Sequence, residues 1–293
     1  MKIIIIQAAG EHNGTTKHKR NDYLRECLSI QHAFKENGWE ADVWGKRHKN
    51  FGEIPDFNSY DYLLTLENYE MSWLPDFSKI TKPIKIQWII DLHFQKVEVY
   101  GKITKQMDIV LHSTKSLMKR YENVYSDQIH LWFPNGFDDR YFKNRKLEKT
   151  KDFVFVGNIC NRGVVLKKML EKYRMEYFMI TGEDMIEMIN RTKVHFNKSI
   201  SVDVNYRNFE TIGCGTCLLT NYLPELEELG FKDGENCYMY KDNSEIPNKL
   251  LQIFRKEDWK RVGFNGKEFS KSHTYVKRVE TLIYHLNKIS FLK

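Results

Sequence analysis

Two polar segments of the chain have residue types and spacing suited to ligand binding. In the first, Asn205, Arg207 and Glu210 recur at helical spacing just before a pair of glycines and an apolar run. A helix would present these three side chains on one face, and the glycines would let the chain turn tightly into a buried strand. Such a face combines an amide, a cation and a carboxylate, and therefore suits a polar ligand that carries hydroxyl groups.

The second segment could transfer protons. Asp91 and His93 directly follow the apolar run 84–90. Ligands of parallel sheets lie beyond the carboxyl ends of the strands, where a carboxylate and an imidazole can act as general acid or base. The alternative is that Asp91 caps a helix and His93 is an ordinary core or surface residue. The residues leave both interpretations open.

Glycine loops follow three further strand-like runs. Gly10 permits close backbone approach to a ligand, and His12 and Asn13 beside it offer polar contacts. In the second half, a loop before a predicted helix suits a phosphate, because free N–H groups and the helix dipole meet it there. The residues predicted to bind at these later loops are Gly157, Asn158, Arg162, Gly182 and Glu183.

The elements that would position these residues alternate between strands and helices, which indicates an α/β fold with parallel sheets. Strands are predicted at 2–7, 41–44, 60–66, 84–90, 108–114, 129–132, 153–158, 177–183 with its loop, 193–199 and 216–220, and helices at 21–37, 115–121, 164–173 and 224–229. The charged run 143–151 lacks core residues and is the best linker. The sequence thus predicts a domain over 1–144 and a second over 145–270, with a cleft between the two domains.

Composition places limits on the class of protein. The chain has 293 residues, of which 41% are hydrophobic and 14% aromatic, enough for one large or two ordinary globular domains. No apolar run approaches the roughly 20 residues of a membrane-spanning helix, and the apolar start is too short for a signal peptide. The five scattered cysteines favour a reducing compartment, so a cytoplasmic protein is expected. Cys214 and Cys217 are interpreted as small apolar residues, and no metal site is predicted.

The net charge of +7 is concentrated at one end of the chain. Residues 1–248 hold 35 cationic and 35 anionic side chains, whereas residues 249–293 hold 11 and 4. This basic tail could rest on an anionic membrane surface, which would make the protein peripheral there, or on DNA. A solvated helix face is the favoured alternative.

Four segments within residues 130–280 carry recognisable motifs. They are Pro134 to Asp138 with Phe142, Phe155 to Gly157 with Arg162 and Gly163, Val194 to Ser199 with Asp203 to Gly215, and Ser272 to Arg278. The first contains an Asn-Gly-hydrophobe-Asp turn. In this order, the four segments resemble the interdomain hinge, the phosphate loop, the donor site and the closing helix of GT-B glycosyltransferases of the CgeB-like, glycosyl transferases group 1 branch. The resemblance implies that the closing helix extends over 271–293.

The resemblance implies two Rossmann-like domains that face each other across a cleft, with a C-terminal helix packed back toward the first domain. It implies sugar transfer from a nucleotide diphosphate sugar, without a metal and without a cofactor. Glu210 would accept hydrogen bonds from the ribose, and Arg162 would neutralise the leaving diphosphate, on which negative charge grows. Asn158 stands where many relatives of the wider fold place an arginine, and Arg207 could replace that charge.

One departure from the family pattern concerns the stereochemistry. Retaining members carry two glutamates separated by seven residues, but this chain has Val202 at the first position and Asp203 beside it. Asp203 could substitute after a one-residue shift, or Asn205 could hold the sugar. Retention and inversion both stay open, and inversion would require a base, for which Asp91 and His93 are the candidates.

The sequence therefore predicts a hexosyltransferase that uses a UDP-sugar, with UDP-glucose as the specific expectation. A glycan, a protein or a modified DNA base could be the acceptor, and nothing in the sequence indicates an oligomeric state. Two alternatives remain: a nucleotide-sugar epimerase of the same fold, and a non-catalytic protein that binds a sugar nucleotide or a polyanion.

Overall fold

The computed structural model describes residues 1–10, 24–68, 70–91 and 97–290. The chain divides into two compact units, one of Met1–Asn135 with Tyr275–Lys293 and one of Gly136–Thr274. We call them the first unit and the second unit. Each is built on its own parallel sheet.

The first unit contains a six-stranded parallel sheet in the order β2-β1-β3-β4-β5-β6. Its strands are β1 (Lys2–Ile6), β2 (Glu40–Trp44), β3 (Tyr62–Leu66), β4 (Ile84–Ile89), β5 (Ile109–His112) and β6 (Ile129–Trp132). The inner strands are buried on both faces, which explains their unbroken apolar runs. The chain leaves β1 for β2 on one side and then reaches β3 on the other, so the strand order reverses between β1 and β3. Ligands of open α/β sheets bind at such a switch point.

Helices cover the first sheet. They are α1 (Glu26–Glu36), α2 (Gly101–Thr104), α3 (Lys115–Glu122) and α10 (Tyr275–Ser290). In α1, Cys27, Ile30 and Phe34 are buried at helical spacing. The last helix, α10, packs against α1 within the first unit, where Asn37 Nδ2 donates a hydrogen bond to Val276 O at 3.1 Å. The predicted return of the closing helix to the first domain is confirmed.

The second unit contains a five-stranded parallel sheet in the order β11-β10-β9-β7-β8. Its strands are β7 (Lys151–Val156), β8 (Glu176–Phe178), β9 (Thr192–Phe196), β10 (Cys217–Asn221) and β11 (Tyr238–Tyr240). Its helices are α4 (Gly163–Tyr173), α5 (Gly182–Asn190), α6 (Tyr206–Gly213), α7 (Pro224–Glu228), α8 (Ile246–Arg255) and α9 (Trp259–Ser270). The strand order reverses between β7 and β9, which places the second switch point there.

The end of α6 packs so closely that residue 213 must lack a side chain. A Cβ atom on Gly213 would lie 2.5 Å from a ring carbon of Phe137 and 2.9 Å from the carbonyl oxygen of Phe142. Glycine at this position therefore lets the segment that follows Asn135 pack against α6.

The boundary between the compact units differs from the predicted linker. The chain passes from the first unit to the second at Asn135–Gly136 and returns at Thr274–Tyr275, whereas the sequence placed its boundaries at 144/145 and 270/271. The physical reason is the burial of Phe137 and Phe142 within the second unit. The charged run 143–150 has no helix or strand and belongs to that unit.

Candidate functional site

The switch point of the second sheet brings together the loop after β7 and the loop after β9. Gly157 directly follows β7 with φ +148°, a backbone conformation that favours glycine. Asn158 is exposed, and its side-chain oxygen accepts a hydrogen bond from the backbone N–H of Cys160 at 3.1 Å. Asn158 thus shapes the turn that leads to α4. It stands where the sequence comparison with the wider fold expects an arginine.

Arg162 connects the two loops. The side chain is buried, and its guanidinium donates to Lys198 O at 2.8 Å, to Ile159 O at 3.4 Å and to Asn158 O. The guanidinium also lies over the ring of Phe155, 5.1 Å from its centroid. A guanidinium has five N–H donors, so these contacts fix its orientation without using all of them. Arg162 therefore has a structural role as well as the predicted role in diphosphate binding.

Lys198, which sequence reasoning missed, adds a second cation to the loop after β9. Burial lowers the pKa of the Lys198 ammonium, and the neighbouring Arg162 lowers it further. Burial likewise lowers the pKa of Arg162, with Asp203 opposing this effect and Arg207 adding to it. Partly desolvated cations that repel one another are stabilised by an anion between them, so this group of side chains suits an anionic ligand.

Helix α6 carries Arg207 and Glu210, and Asn205 lies directly before it. Arg207 and Glu210 form an ion pair in which Nη1 and Oε2 are 2.7 Å apart, with side chains only 18% and 14% exposed. Asn205 precedes the helix, and its side-chain oxygen accepts from Asn197 Nδ2 at 3.1 Å. The same amide donates to Asn208 Oδ1 at 2.8 Å. The structure thus brings Asn205, Arg207 and Glu210 together beside the loop after β9.

A buried histidine, His195, forms hydrogen bonds with both β7 and α6. His195, on β9, accepts a hydrogen bond from the backbone N–H of Val156 at its Nε2, 3.3 Å away, and its Nδ1 lies 3.0 Å from Thr211 Oγ1. Burial lowers the pKa of His195 well below its usual range, and Arg207 adds to this effect. A neutral imidazole that accepts at Nε2 carries its proton on Nδ1, so Nδ1 donates to Thr211. His195 therefore links the end of β7 to α6.

Asp203, predicted as a catalytic residue, is buried in the loop between β9 and α6. Its Oδ1 accepts from the backbone N–H of Ser201 at 3.1 Å, and its charge reaches Arg162. The neighbouring Val202 is 43% exposed. Asp203 thus lies close enough to Arg162 for their charges to interact. Its catalytic role stays a prediction.

Gly182 and Glu183 lie in the first turn of α5, after the edge strand β8. Gly182 has φ +63°, and Glu183 forms an exposed ion pair with Arg145. The sequence assigned this region to a strand and its loop, but α5 begins at Gly182. A role of these two residues in ligand binding stays a prediction.

In the first unit, two carboxylates meet at the carboxyl ends of β3 and β4. Asp91 follows β4, and its backbone N–H donates to Glu67 Oε2 at 2.6 Å. Glu67 follows β3 directly and was not singled out from the sequence. Gly10 lies after β1 and is partly buried. His12, Asn13 and His93 lie outside the described residues, so their predicted roles stay predictions.

Two further predictions concern metals and membranes. Among the described residues, no group of three or more His, Cys, Asp or Glu side chains is arranged to hold a metal ion. The five cysteines are free thiols, and burial raises the pKa of Cys214 to about 12. Within the same part of the chain, every helix is too short or too polar to cross a membrane.

Five of the ten Lys and Arg residues in the described part of the basic tail are ion-paired. Phe264 is 62% exposed on α9, whereas Trp259 packs against the core of the second unit. Salt bridges join tail cations to carboxylates at Lys249–Asp233, Lys260–Glu257, Arg261–Asp258, Lys271–Glu268 and Lys277–Glu280. These pairs favour the interpretation as a solvated face, and binding to DNA or to an anionic membrane stays a prediction.

Comparisons with known proteins agree with this architecture. Residues 144–284 match the family model described as glycosyl transferase-like. No curated protein sequence matches the chain significantly.

Solved structures match over nearly the whole chain. One is sucrose-phosphate synthase from Thermosynechococcus elongatus, with a TM-score of 0.62 at 13% identity over 98% of this chain and 99% of that one. Another is HepE from Anabaena in complex with UDP and glucose, with a TM-score of 0.64 at 11% identity over 98% and 100%. The narrower CgeB-like assignment stays a prediction. The chain has the GT-B fold, as its sequence predicted, and its residues 144–284 are similar to the glycosyl transferase-like family.

Proposed function

We propose that the protein transfers a hexose from a nucleotide diphosphate sugar to an acceptor, without a metal ion. The observation that carries this proposal is the group of cations at the switch point of the second sheet. Arg162 and Lys198 converge there from two loops, beside the Arg207–Glu210 ion pair. We call Arg162, Lys198 and Arg207 the cation cluster.

The cation cluster suits the chemistry of the leaving group. When the bond between the anomeric carbon and the diphosphate oxygen breaks, its electron pair stays on that oxygen and negative charge grows there. Preorganised cations in a partly desolvated site stabilise such charge more effectively than water does. Burial lowers the pKa values of Arg162 and Lys198, and a bound diphosphate would favour their charged forms.

Glu210 is proposed to recognise the ribose. Its ion pair with Arg207 holds the carboxylate in one orientation on α6. A carboxylate is an acceptor with about four lone-pair sites, so Glu210 can accept from ribose hydroxyls while it stays paired. Hydrogen bonds to a charged acceptor are among the stronger ones in proteins.

UDP-glucose is the donor that we propose, and a glycan, a protein or a modified DNA base is the acceptor. The support for UDP-glucose is the HepE structure, which matches this fold and contains UDP and glucose. The two-unit architecture is also that of enzymes with separate donor and acceptor domains, and the cation cluster supports a donor site in the second unit.

A thermal-shift panel tests the proposal. UDP and UDP-glucose at about 100 times the dissociation constant should raise the melting temperature by about 5 °C, because a ligand that binds only the folded state stabilises it. Inorganic phosphate at the same concentration is the control and should have a smaller effect. If neither UDP nor any sugar derivative of UDP, GDP, ADP or CMP raises the melting temperature, the proposed function is wrong.

A further inference from the structure

Asn197 holds the start of α6 through its side-chain amide. The side chain is buried, and its nitrogen donates to Asn205 Oδ1 at 3.1 Å and to Asn208 Oδ1 at 2.8 Å. A side-chain amide has two donor hydrogens, so both are used on α6 and on the residue directly before it. Asn197 itself lies in the loop after β9, at the switch point of the second sheet. Its side chain therefore ties this loop to the first turn of α6.

Asn205 makes this contact instead of capping its own helix. An asparagine directly before a helix usually accepts, at its side-chain oxygen, a hydrogen bond from a backbone N–H group of the first turn. The side chain of Asn205 makes no such bond, and its oxygen accepts from Asn197. A bond between α6 and the loop after β9 thus takes the place of one that would stabilise α6 alone.

The backbone of the loop after β9 is held independently of the Asn197 side chain. The N–H group of Asn197 donates to a carbonyl oxygen of β10 at 2.8 Å, and that of Ser199 donates to Asn221 Oδ1 at 2.7 Å. Lys198 lies between these two residues, and its carbonyl oxygen accepts from Arg162 at 2.8 Å. Loss of the Asn197 side chain should therefore leave Lys198 and Arg162 in place and release α6.

Helix α6 carries Glu210, the proposed ribose contact. Inorganic pyrophosphate would need only the cations of the site, whereas a nucleoside diphosphate would also use the ribose contact. We propose that Asn197 is a positioning residue that gives the site its preference for a nucleoside diphosphate over inorganic pyrophosphate. It does so by holding α6, and with it Glu210, against the loop that carries Lys198. This inference rests on the proposed function.

The affinities for two ligands test this role. Asn197→Ala removes both donors and leaves the buried oxygen of Asn208 without that partner, so the affinity for UDP should fall about tenfold or more. The affinity for inorganic pyrophosphate should stay within about threefold of the wild-type value, because Arg162 and Lys198 keep their places. Isothermal titration calorimetry measures both affinities.

Asn190→Ala is the matched control. Asn190 is another buried asparagine of the second unit, and its side chain also makes two hydrogen bonds, with Arg145 N at 2.8 Å and with Ile186 O at 3.0 Å. It lies before β9, at the opposite edge of the sheet from the switch point. Its replacement should lower the melting temperature, as Asn197→Ala does, but leave the ratio of the affinities for UDP and pyrophosphate unchanged.

Two further measurements test whether the effect of Asn197 passes through α6. In the absence of ligand, amide hydrogen exchange in α6 should be about tenfold faster in Asn197→Ala than in the wild-type protein, since two hydrogen bonds no longer oppose local opening. The double variant Asn197→Ala/Glu210→Ala should bind UDP within about twofold of Glu210→Ala alone, because Asn197 acts through Glu210.

Distinct results overturn distinct parts of the account. An unchanged affinity for UDP in Asn197→Ala, or equal losses of affinity for UDP and pyrophosphate, overturns the proposed preference. Unchanged amide exchange in α6 overturns the hold on the helix, and a double variant that binds UDP much more weakly than Glu210→Ala overturns the route through Glu210. Failure of the wild-type protein to bind UDP contradicts the proposed function and with it the preference, and amide exchange then still decides whether Asn197 holds α6.

Discussion

Replacement of Glu210 by alanine is expected to lower the affinity for UDP-glucose about a hundredfold. The proposed ribose contacts are hydrogen bonds to a charged acceptor, and two such bonds of about 1.5 kcal/mol each correspond to this factor. The variant also leaves Arg207 without the carboxylate that lies 2.7 Å from its guanidinium. Isothermal titration calorimetry with UDP-glucose measures the affinity, and circular dichroism checks that the fold is intact.

The matched control for Glu210 is Glu187→Ala. Glu187 also pairs with an arginine on the same unit, with its Oε1 2.8 Å from the Nε of Arg191, but these two side chains are more exposed than Glu210 and Arg207. Its removal should leave the affinity for UDP-glucose within about twofold of the wild-type value, as is usual for an exposed pair. Equal affinities of the Glu210→Ala and Glu187→Ala variants would remove Glu210 from the donor site.

The second large effect is expected at the cation cluster. Arg162→Ala should abolish detectable transfer and also lower the melting temperature, because it removes both a cation and the hydrogen bonds to Lys198 O and Asn158 O. Lys198→Ala should lower the affinity for UDP-glucose about tenfold or more without loss of stability. Removal of the Lys198 ammonium relieves its repulsion with Arg162.

Comparison of Arg162→Ala with Lys198→Ala separates an effect on the melting temperature from an effect on the affinity for UDP-glucose. Lys232→Ala is the control for Lys198, since Lys232 is an exposed lysine of the second unit that pairs with Glu235. The Lys232→Ala variant should bind UDP-glucose with the affinity of the wild-type protein. A Lys198→Ala variant that binds UDP-glucose as tightly as the Lys232→Ala variant would contradict the assignment of Lys198 to the diphosphate.

Much of the fold could be predicted from the sequence because its inner strands are buried on both faces. Continuous apolar runs such as 2–6 and 84–89 identify inner strands of a parallel sheet without any tertiary information. Helix α5 was missed because it is short and follows a three-residue strand, although its apolar residues Met185, Ile186 and Ile189 have helical spacing.

The candidate site was predictable only in part. Asp91 was found because it is the polar residue after a buried strand, and the same signal at the end of β3 would have found Glu67. Lys198 has no local signal, because its importance comes from Arg162, which is 36 residues away in the chain and donates to its carbonyl oxygen. The structural role of Arg162 could not be predicted either. Its partners are backbone carbonyl groups, which every residue has, so residue types do not indicate which of them the guanidinium contacts.

The most direct test of the central claim is to incubate the purified protein with UDP-glucose in the presence of EDTA and to follow the sugar by NMR. Enzyme-dependent appearance of UDP and free glucose, lost in Glu210→Ala, is the expected result. Transfer to water would show that the second unit activates the donor without a metal ion. Conversion of UDP-glucose into an epimeric UDP-sugar, or no release of UDP from any nucleotide sugar, would contradict the account.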